Sequence, residues 1–223
     1  MTEATLTRIK ICGITRLEDA EGAAAAGVDA LGLNFVASSP RAVSIETARI
    51  ISRQIGSRVL RVALFADPQP AAVEAVLSEV DIDVLQFHGS EPASLCGAFG
   101  LPYMKAVRVS GPLDITAIEA AFPDACALLL DTFVAGQAGG TGRVFDWSLW
   151  PAHARLPLVL AGGLTADNVV AAITRTRPFA VDLSGGVEGN VKGQKDAGRI
   201  GRFVAAVREA DGILQSRSRP ADI

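Results

Sequence analysis

Pro157-Leu158-Val159-Leu160-Ala161-Gly162-Gly163-Leu164 and, one helical run later, Phe179-Ala180-Val181-Asp182-Leu183-Ser184-Gly185-Gly186-Val187-Glu188 decide how this chain is read. Leu158 to Ala161 and Ala180 to Leu183 are short apolar runs bounded by Pro and Gly, the pattern of buried parallel strands. Each run leads into a Gly pair, where a strand should hand over to a helix. Glycines at such a junction let backbone amides come close to an anion, and the next helix start adds its positive dipole end. Gly162, Gly163, Gly185 and Gly186 are therefore candidates for holding a phosphate. In a (β/α)8 barrel that group sits on the loops after strands 7 and 8, at the C-terminal face where the chemistry also lies. The alternative is a pair of ordinary turns. Two Gly pairs, each behind a buried strand and only a short helix apart, favour the phosphate.

Working outward, Val-, Leu- and Ile-rich runs alternate with Ala-rich amphipathic runs about eight times, the signature of repeated βα units. The strands fall at Arg8 to Cys12, Ala30 to Phe35, Leu60 to Phe65, Val84 to Phe87, Tyr103 to Val107, Ala127 to Asp131, Leu158 to Ala161 and Ala180 to Leu183. Helices are expected near Arg16 to Ala26, Ser44 to Ile55, Pro70 to Val80, Glu91 to Phe99, Leu113 to Phe122, Ser148 to Arg155, Thr165 to Thr174 and Asp196 to Asp211. Ser44 with Thr47, Ser90 before Glu91, and Thr165 before Asp167 are candidate caps. A doubly wound open sheet shares this alternation. The turn after the first strand, Cys12-Gly13-Ile14-Thr15, lacks the G-x-G-x-x-G pattern such a fold usually carries.

The 223 residues, net charge of −3, 49% hydrophobic and 20% charged content describe one well-buried domain, and the eightfold βα alternation with its two glycine loops makes the expected fold an α/β single-domain TIM barrel. Its core runs over about 8–211, with frayed termini at 1–7 and 215–223. The mildly acidic balance argues against nucleic acid, and no apolar run reaches the length of a membrane span. Residues Met1 to Thr7 lack the apolar core of a signal peptide, so a cytoplasmic location is expected. Cys12, Cys96 and Cys126 are odd in number and lack metal spacing, so reduced thiols and no metal site are expected.

Strand parity puts Lys10 with Cys12, Gln86 with His88, and Leu129 with Asp131. If those faces point inward, the barrel mouth holds a thiol, a carboxylate, an ammonium, an amide and an imidazole. Singly, each has a plainer role: Cys12 as packing, Asp131 as a turn cap, His88 as a hydrogen-bonded turn residue. Lys10 and Lys105 are harder to hide in apolar strands without a partner or ligand. Gly136 to Trp147, with Gly139-Gly140-Thr141-Gly142, reads as a lid or a loose connection, with Phe145 and Trp147 anchoring its far end. Arg41 in Ser38-Ser39-Pro40-Arg41 is either an exposed turn residue or a fork over the barrel mouth, suited to a substrate carboxylate.

Lys10-Ile11-Cys12-Gly13-Ile14-Thr15, Ser39-Pro40-Arg41, Leu85-Gln86-Phe87-His88-Gly89, Lys105-Ala106-Val107, Leu130-Asp131-Thr132, Gly139-Gly140-Thr141-Gly142 with Phe145-Asp146-Trp147, and the two glycine segments quoted first resemble, in order, the motifs of the phosphoribosylanthranilate isomerase family. The match runs from about Arg8 to Arg208 and includes Lys192-Gly193 and Lys195-Asp196. One departure is visible: the family usually has Ser-Ser-Gly where this chain has Ser184-Gly185-Gly186, so one hydroxyl is missing from the phosphate site. The resemblance implies a cofactor-independent Amadori rearrangement in tryptophan biosynthesis. N-(5-phosphoribosyl)anthranilate becomes 1-(2-carboxyphenylamino)-1-deoxyribulose 5-phosphate. It implies Cys12 as general base, Asp131 as general acid and Arg41 on the anthranilate carboxylate; Lys10, His88 and Asp182 are expected in supporting positions from the residues themselves. The only implied partner is a small phosphorylated substrate, and the chain would be a monomer or homodimer.

The residue types suit that chemistry. A free Asp ionises near ~3.9 and a free Cys near ~8.5, so at neutral pH each is mostly in the wrong state for its role. Burial beside Leu129 would raise the Asp value, and Lys10 would lower the Cys value. Two rival readings are a Schiff-base aldolase with Lys105 as nucleophile, and a non-catalytic sensor of a sugar phosphate.

Overall fold

The computed structural model describes residues 6–132 and 146–218. Eight parallel strands close into a barrel in chain order: β1 (Arg8–Cys12), β2 (Ala30–Asn34), β3 (Leu60–Phe65), β4 (Val84–Phe87), β5 (Tyr103–Val109), β6 (Ala127–Thr132), β7 (Leu158–Leu160) and β8 (Ala180–Leu183). The closing seam pairs Lys10 with Asp182 across β1 and β8. Around it run α1 (Leu17–Ala25), α2 (Ile45–Ile55), α3 (Pro70–Glu79), α4 (Ala93–Cys96), α5 (Ile115–Ala121), α6 (Val169–Thr176) and α7 (Ala197–Ser218).

Alternation along each strand divides the core in two. Inside the barrel lie small or slender residues, among them Ala30, Val62, Met104, Ala106, Leu129 and Ala180. Outside, Ile9, Ile11, Leu31, Leu33, Leu85 and Phe87 pack under the helices. An eight-stranded barrel is only just wide enough to be filled by side chains. Its small lower residues leave room for larger polar ones near the mouth. On the outer face Phe35, Phe65, Phe87 and Phe99 form a stacked row with centroids 5.4, 6.4 and 6.2 Å apart. The last helix closes on the first strand, because Asp211 Oδ1 accepts from Thr7 Oγ1 at 2.6 Å and from Thr7 N at 3.1 Å.

Several expected elements differ. Ser148 to Arg155 is no α-helix: a single 3-10 turn, Trp147–Leu149, stops before Pro151, whose ring disfavours helical geometry in the residue ahead of it. The helix expected from Glu91 shrinks to one turn from Ala93, and Ser90 caps nothing, because Pro92 stands at the N-cap and the Glu91 side chain turns inward. The helix expected from Thr165 begins at Val169; Asn168 Oδ1 accepts from Thr165 N at 2.9 Å, a side-chain turn that replaces the first helical turn. Ser44 does cap α2, accepting from Thr47 N at 3.1 Å. The motif Gly139-Gly140-Thr141-Gly142 and Phe145 lie outside the described residues.

Candidate active site

The inward parity of each strand carries a polar residue to the C-terminal rim. On β1, Lys10 and Cys12 share the inner face with their partners Ala30 and Asp182. Gly32 of β2 lets them stand there: a Cβ at that position would lie 2.8 Å from Cys12 Sγ and 3.2 Å from Lys10 Nζ. Lys10 Nζ donates to Asp182 Oδ1 at 2.9 Å, with both residues buried. Burial disfavours the ammonium, yet Asp182 and then Cys12 outweigh it and hold the Lys10 pKa above its ordinary value.

Cys12 is 8% exposed. Burial pushes its thiol up, Lys10 pulls it down, Asp182 cancels part of that pull, and Lys195 pulls down again; the balance lies above the ordinary value. The expected action of Lys10 is therefore present, but desolvation outweighs it.

Across the mouth, Asp131 follows Leu129 on the inner face of β6 and is 9% exposed. His88 Nε2 lies 3.3 Å from Asp131 Oδ2. Gln86 Nε2 sits 3.1 Å from His88 Nδ1; with Gln86 donating, the ring proton is on Nε2, on the side of Asp131 but too poorly aligned with its carboxylate for a hydrogen bond. The geometry leaves His88 Nε2, Gln86 Oε1 and Thr132 Oγ1 buried without hydrogen-bond partners among the described residues. Under-satisfied polar atoms of this kind ask for a ligand or ordered water.

The glycine loops are interlocked. Gly162 and Gly163 have φ of +90° and +64°, and a Cβ on Gly162 would strike Thr132 Oγ1 at 2.2 Å. A Cβ on Gly186 would lie 2.0 Å from the Leu164 carbonyl oxygen, so the loop after β8 is pressed directly onto the loop after β7. Gly185 begins a 3-10 turn, Gly185–Val187, and has room: its Cβ would meet nothing closer than Arg41 Nη2 at 3.4 Å.

Two expectations change. Arg41 is not an exposed turn residue: it is 7% exposed, passes against Gly13, and donates from Nε and Nη2 to Glu188 Oε1 and Oε2 at 2.6 and 2.9 Å. Its Nη1 makes no hydrogen bond among the described residues. Lys105 does not face the interior. Its neighbours Met104 and Ala106 do, and Lys105 turns outward to donate to Gly89 O at 2.7 Å and Glu91 Oε2 at 3.0 Å. Glu91 also accepts from Asp67 N at 2.7 Å and Gly89 N at 3.0 Å, so this buried pair ties the loops after β3 and β4 together behind His88.

Ser184, Glu188 and Lys195 stand in quoted motifs, yet their residue types alone suggest no role; they are joined only by the fold. Arg108 was also passed over. It has inward parity at the end of β5, is exposed, and pairs in register with Asp131. A count of alternate residues from Met104 would have found it.

Residues 9–206 match the family model described as N-(5'phosphoribosyl)anthranilate (PRA) isomerase. The chain is 50% identical over 209 residues to N-(5'-phosphoribosyl)anthranilate isomerase of Cellvibrio japonicus, covering 94% of this chain and 97% of that protein. Among solved structures it resembles monomers generated from the dimeric phosphoribosylanthranilate isomerase of Thermotoga maritima, with a TM-score of 0.80, 38% identity, and coverage of 92% and 100%. It also resembles a phosphoribosyl anthranilate isomerase in complex with reduced 1-(o-carboxyphenylamino)-1-deoxyribulose 5-phosphate, with a TM-score of 0.78, 40% identity and the same coverage.

Proposed function

Because this chain belongs to the N-(5'-phosphoribosyl)anthranilate isomerase family, we propose that it converts N-(5'-phosphoribosyl)anthranilate to 1-(o-carboxyphenylamino)-1-deoxyribulose 5-phosphate with Cys12 as general base and Asp131 as general acid. The protein is an enzyme, an isomerase of tryptophan biosynthesis. The observation that carries the finer reading is the inward convergence of Cys12, beside Lys10, and Asp131, beside His88, on one rim next to the interlocked glycine loops.

The chemistry needs one proton given and one taken. Asp131 donates to the furanose ring oxygen as the C–O bond breaks, leaving an iminium. Cys12 then removes the proton from the adjacent sugar carbon, and the enolamine tautomerises to the ketose. A thiol raised by burial is a stronger base once ionised, which suits a weak carbon acid; its cost is a smaller ionised fraction. His88 orients the Asp131 carboxyl, and Lys10 with Asp182 fixes the charge beneath the thiol. Gly162, Gly163, Gly185 and Gly186 bind the phosphate through backbone amides, needing no cofactor and no metal. Arg41, with its side edge held by Glu188, turns Nη1 to the anthranilate carboxylate.

The experiment is a fluorescence assay of freshly made phosphoribosylanthranilate with wild type, Cys12→Ala and Asp131→Asn. Both variants should lose turnover by at least about 10²-fold while still binding the product, as expected for positioned acids and bases. Turnover retained by either would remove that residue from the mechanism. The outward position of Lys105 takes away the nucleophile that the aldolase reading named.

A further inference from the structure

Lys195 is a buried cation that the mechanism above leaves unused. Its side chain has 0% exposure, and Nζ donates to Ser184 O at 3.2 Å, Ser184 Oγ at 3.1 Å and Glu188 Oε1 at 3.2 Å. Ser184 Oγ in turn donates to the Cys12 carbonyl at 2.8 Å, so one hydroxyl separates the ammonium from the backbone of Cys12. The segment carrying Lys195 is firmly held. It bridges antiparallel to Glu188, Asp19 Oδ2 accepts from Lys195 N at 2.9 Å, and Gly193 O accepts from Thr15 Oγ1 at 2.7 Å.

The charge count around this corner does not close. Glu188 already balances Arg41 through a two-bond fork, and the Asp19 carboxylate beside Lys195 N is matched by Arg16, so Arg41, Glu188 and Lys195 together carry one uncompensated positive charge away from water. Lys10, the other ammonium near the thiol, is matched one for one by Asp182. A latch between loops would need only hydrogen bonds, which a neutral side chain supplies at much lower desolvation cost.

We propose that Lys195, placed by Glu188 and Ser184, supplies the unbalanced positive charge that stabilises the Cys12 thiolate, and is a positioning residue for the base. The charged groups acting on the thiol are Lys10 from β1, Asp182 from β8 and Lys195 from the segment after β8, with Arg41 crossing behind Gly13; β2 presents only Gly32. The catalytic consequence rests on Cys12 being the base, whereas the effect on the thiol does not.

The test reads the thiol directly. Iodoacetamide is applied to the full chain at pH 7.5, and labelling of Cys12 is followed by peptide mass spectrometry in wild type, Lys195→Gln and Lys195→Arg, with exposed Cys126 as internal standard. The thiolate is the nucleophile, so the rate follows the ionised fraction. Loss of the charge should slow Cys12 labelling about threefold or more, the effect of roughly half a pKa unit, and Lys195→Arg should stay within about twofold of wild type. A folded Lys195→Gln labelled at the wild-type rate, or a Lys195→Arg slowed as much as Lys195→Gln, overturns the proposal. If Lys195→Gln does not fold, Lys195→Met, an uncharged chain of similar length suited to a buried site, decides in its place: it must slow Cys12 labelling to the same degree, and a wild-type rate overturns the idea. Failure of the base assignment looks different, since Cys12→Ala would then keep its turnover.

Discussion

Adding a small side chain to either glycine of the loop after β8, alanine at Gly186 or serine at Gly185, should give opposite results. At Gly186 the new Cβ would stand 2.0 Å from the Leu164 carbonyl oxygen, a backbone atom, and real Cβ atoms essentially never come closer than 3.0 Å. The two loops must therefore part by about 1 Å, and Leu164 carries that movement into Gly162 and Gly163. Overpacking of this kind costs on the order of 1–3 kcal/mol. Displacing a substrate-positioning element by about 1 Å costs up to roughly 10²-fold in activity. At Gly185, by contrast, the nearest atoms are Arg41 Nη2 at 3.4 Å and Glu188 Oε2 at 4.0 Å, ordinary contacts, and the backbone is not in the left-handed region. Gly185→Ser should change stability by less than about 0.5 kcal/mol. A hydroxyl reaching the phosphate would lower KM by up to roughly tenfold. The assays are steady-state fluorescence on freshly made substrate and a thermal melt of each variant. Gly186→Ala with wild-type KM, kcat and Tm would refute the interlocked-loop account. A Gly185→Ser variant whose KM rises tenfold would refute the phosphate's placement beside position 185.

Two further outcomes follow from buried charge. With Cys12 as the proposed base, acting deprotonated, burial raises its pKa, so the ascending limb of kcat/KM should continue above the ordinary thiol value of ~8.5; a limb complete by pH 7 would contradict this, as would a limb unchanged in Cys12→Ala. Lys105→Met removes one member of a pair whose side chains are 5% and 0% exposed, costing about 3 kcal/mol and lowering Tm by roughly 6–12 °C. Wild-type enzyme treated with substrate and borohydride should carry no adduct on Lys105, and a stable adduct there would revive the aldolase reading.

Strands were the legible part of this fold, because parallel strands buried on both faces are continuous apolar runs with sharp Gly and Pro borders. That same property hid the direction of Lys105: with apolar residues on both sides of β5, alternation shows which residues share a face but not which face is inside. Helix starts were misread where a polar side chain had longer-range work. Glu91 serves Lys105 and two loop amides instead of opening a helix, and Asn168 builds a turn. Cys12 and Asp131 stood out because strand-end position and residue type coincide. Arg41 with Glu188, 147 positions apart in the chain, and Lys195 with Ser184 form contacts that only barrel closure creates.

The most direct measurement is a crystal structure of this protein with the reduced product analogue bound. Cys12 Sγ and the Asp131 carboxylate should lie on either side of the first sugar carbons, within about 3–3.5 Å of the atoms they serve, with the phosphate on the amides of Gly162, Gly163, Gly185 and Gly186. A phosphate bound elsewhere, or a thiol or carboxylate turned away from the sugar, would contradict the account.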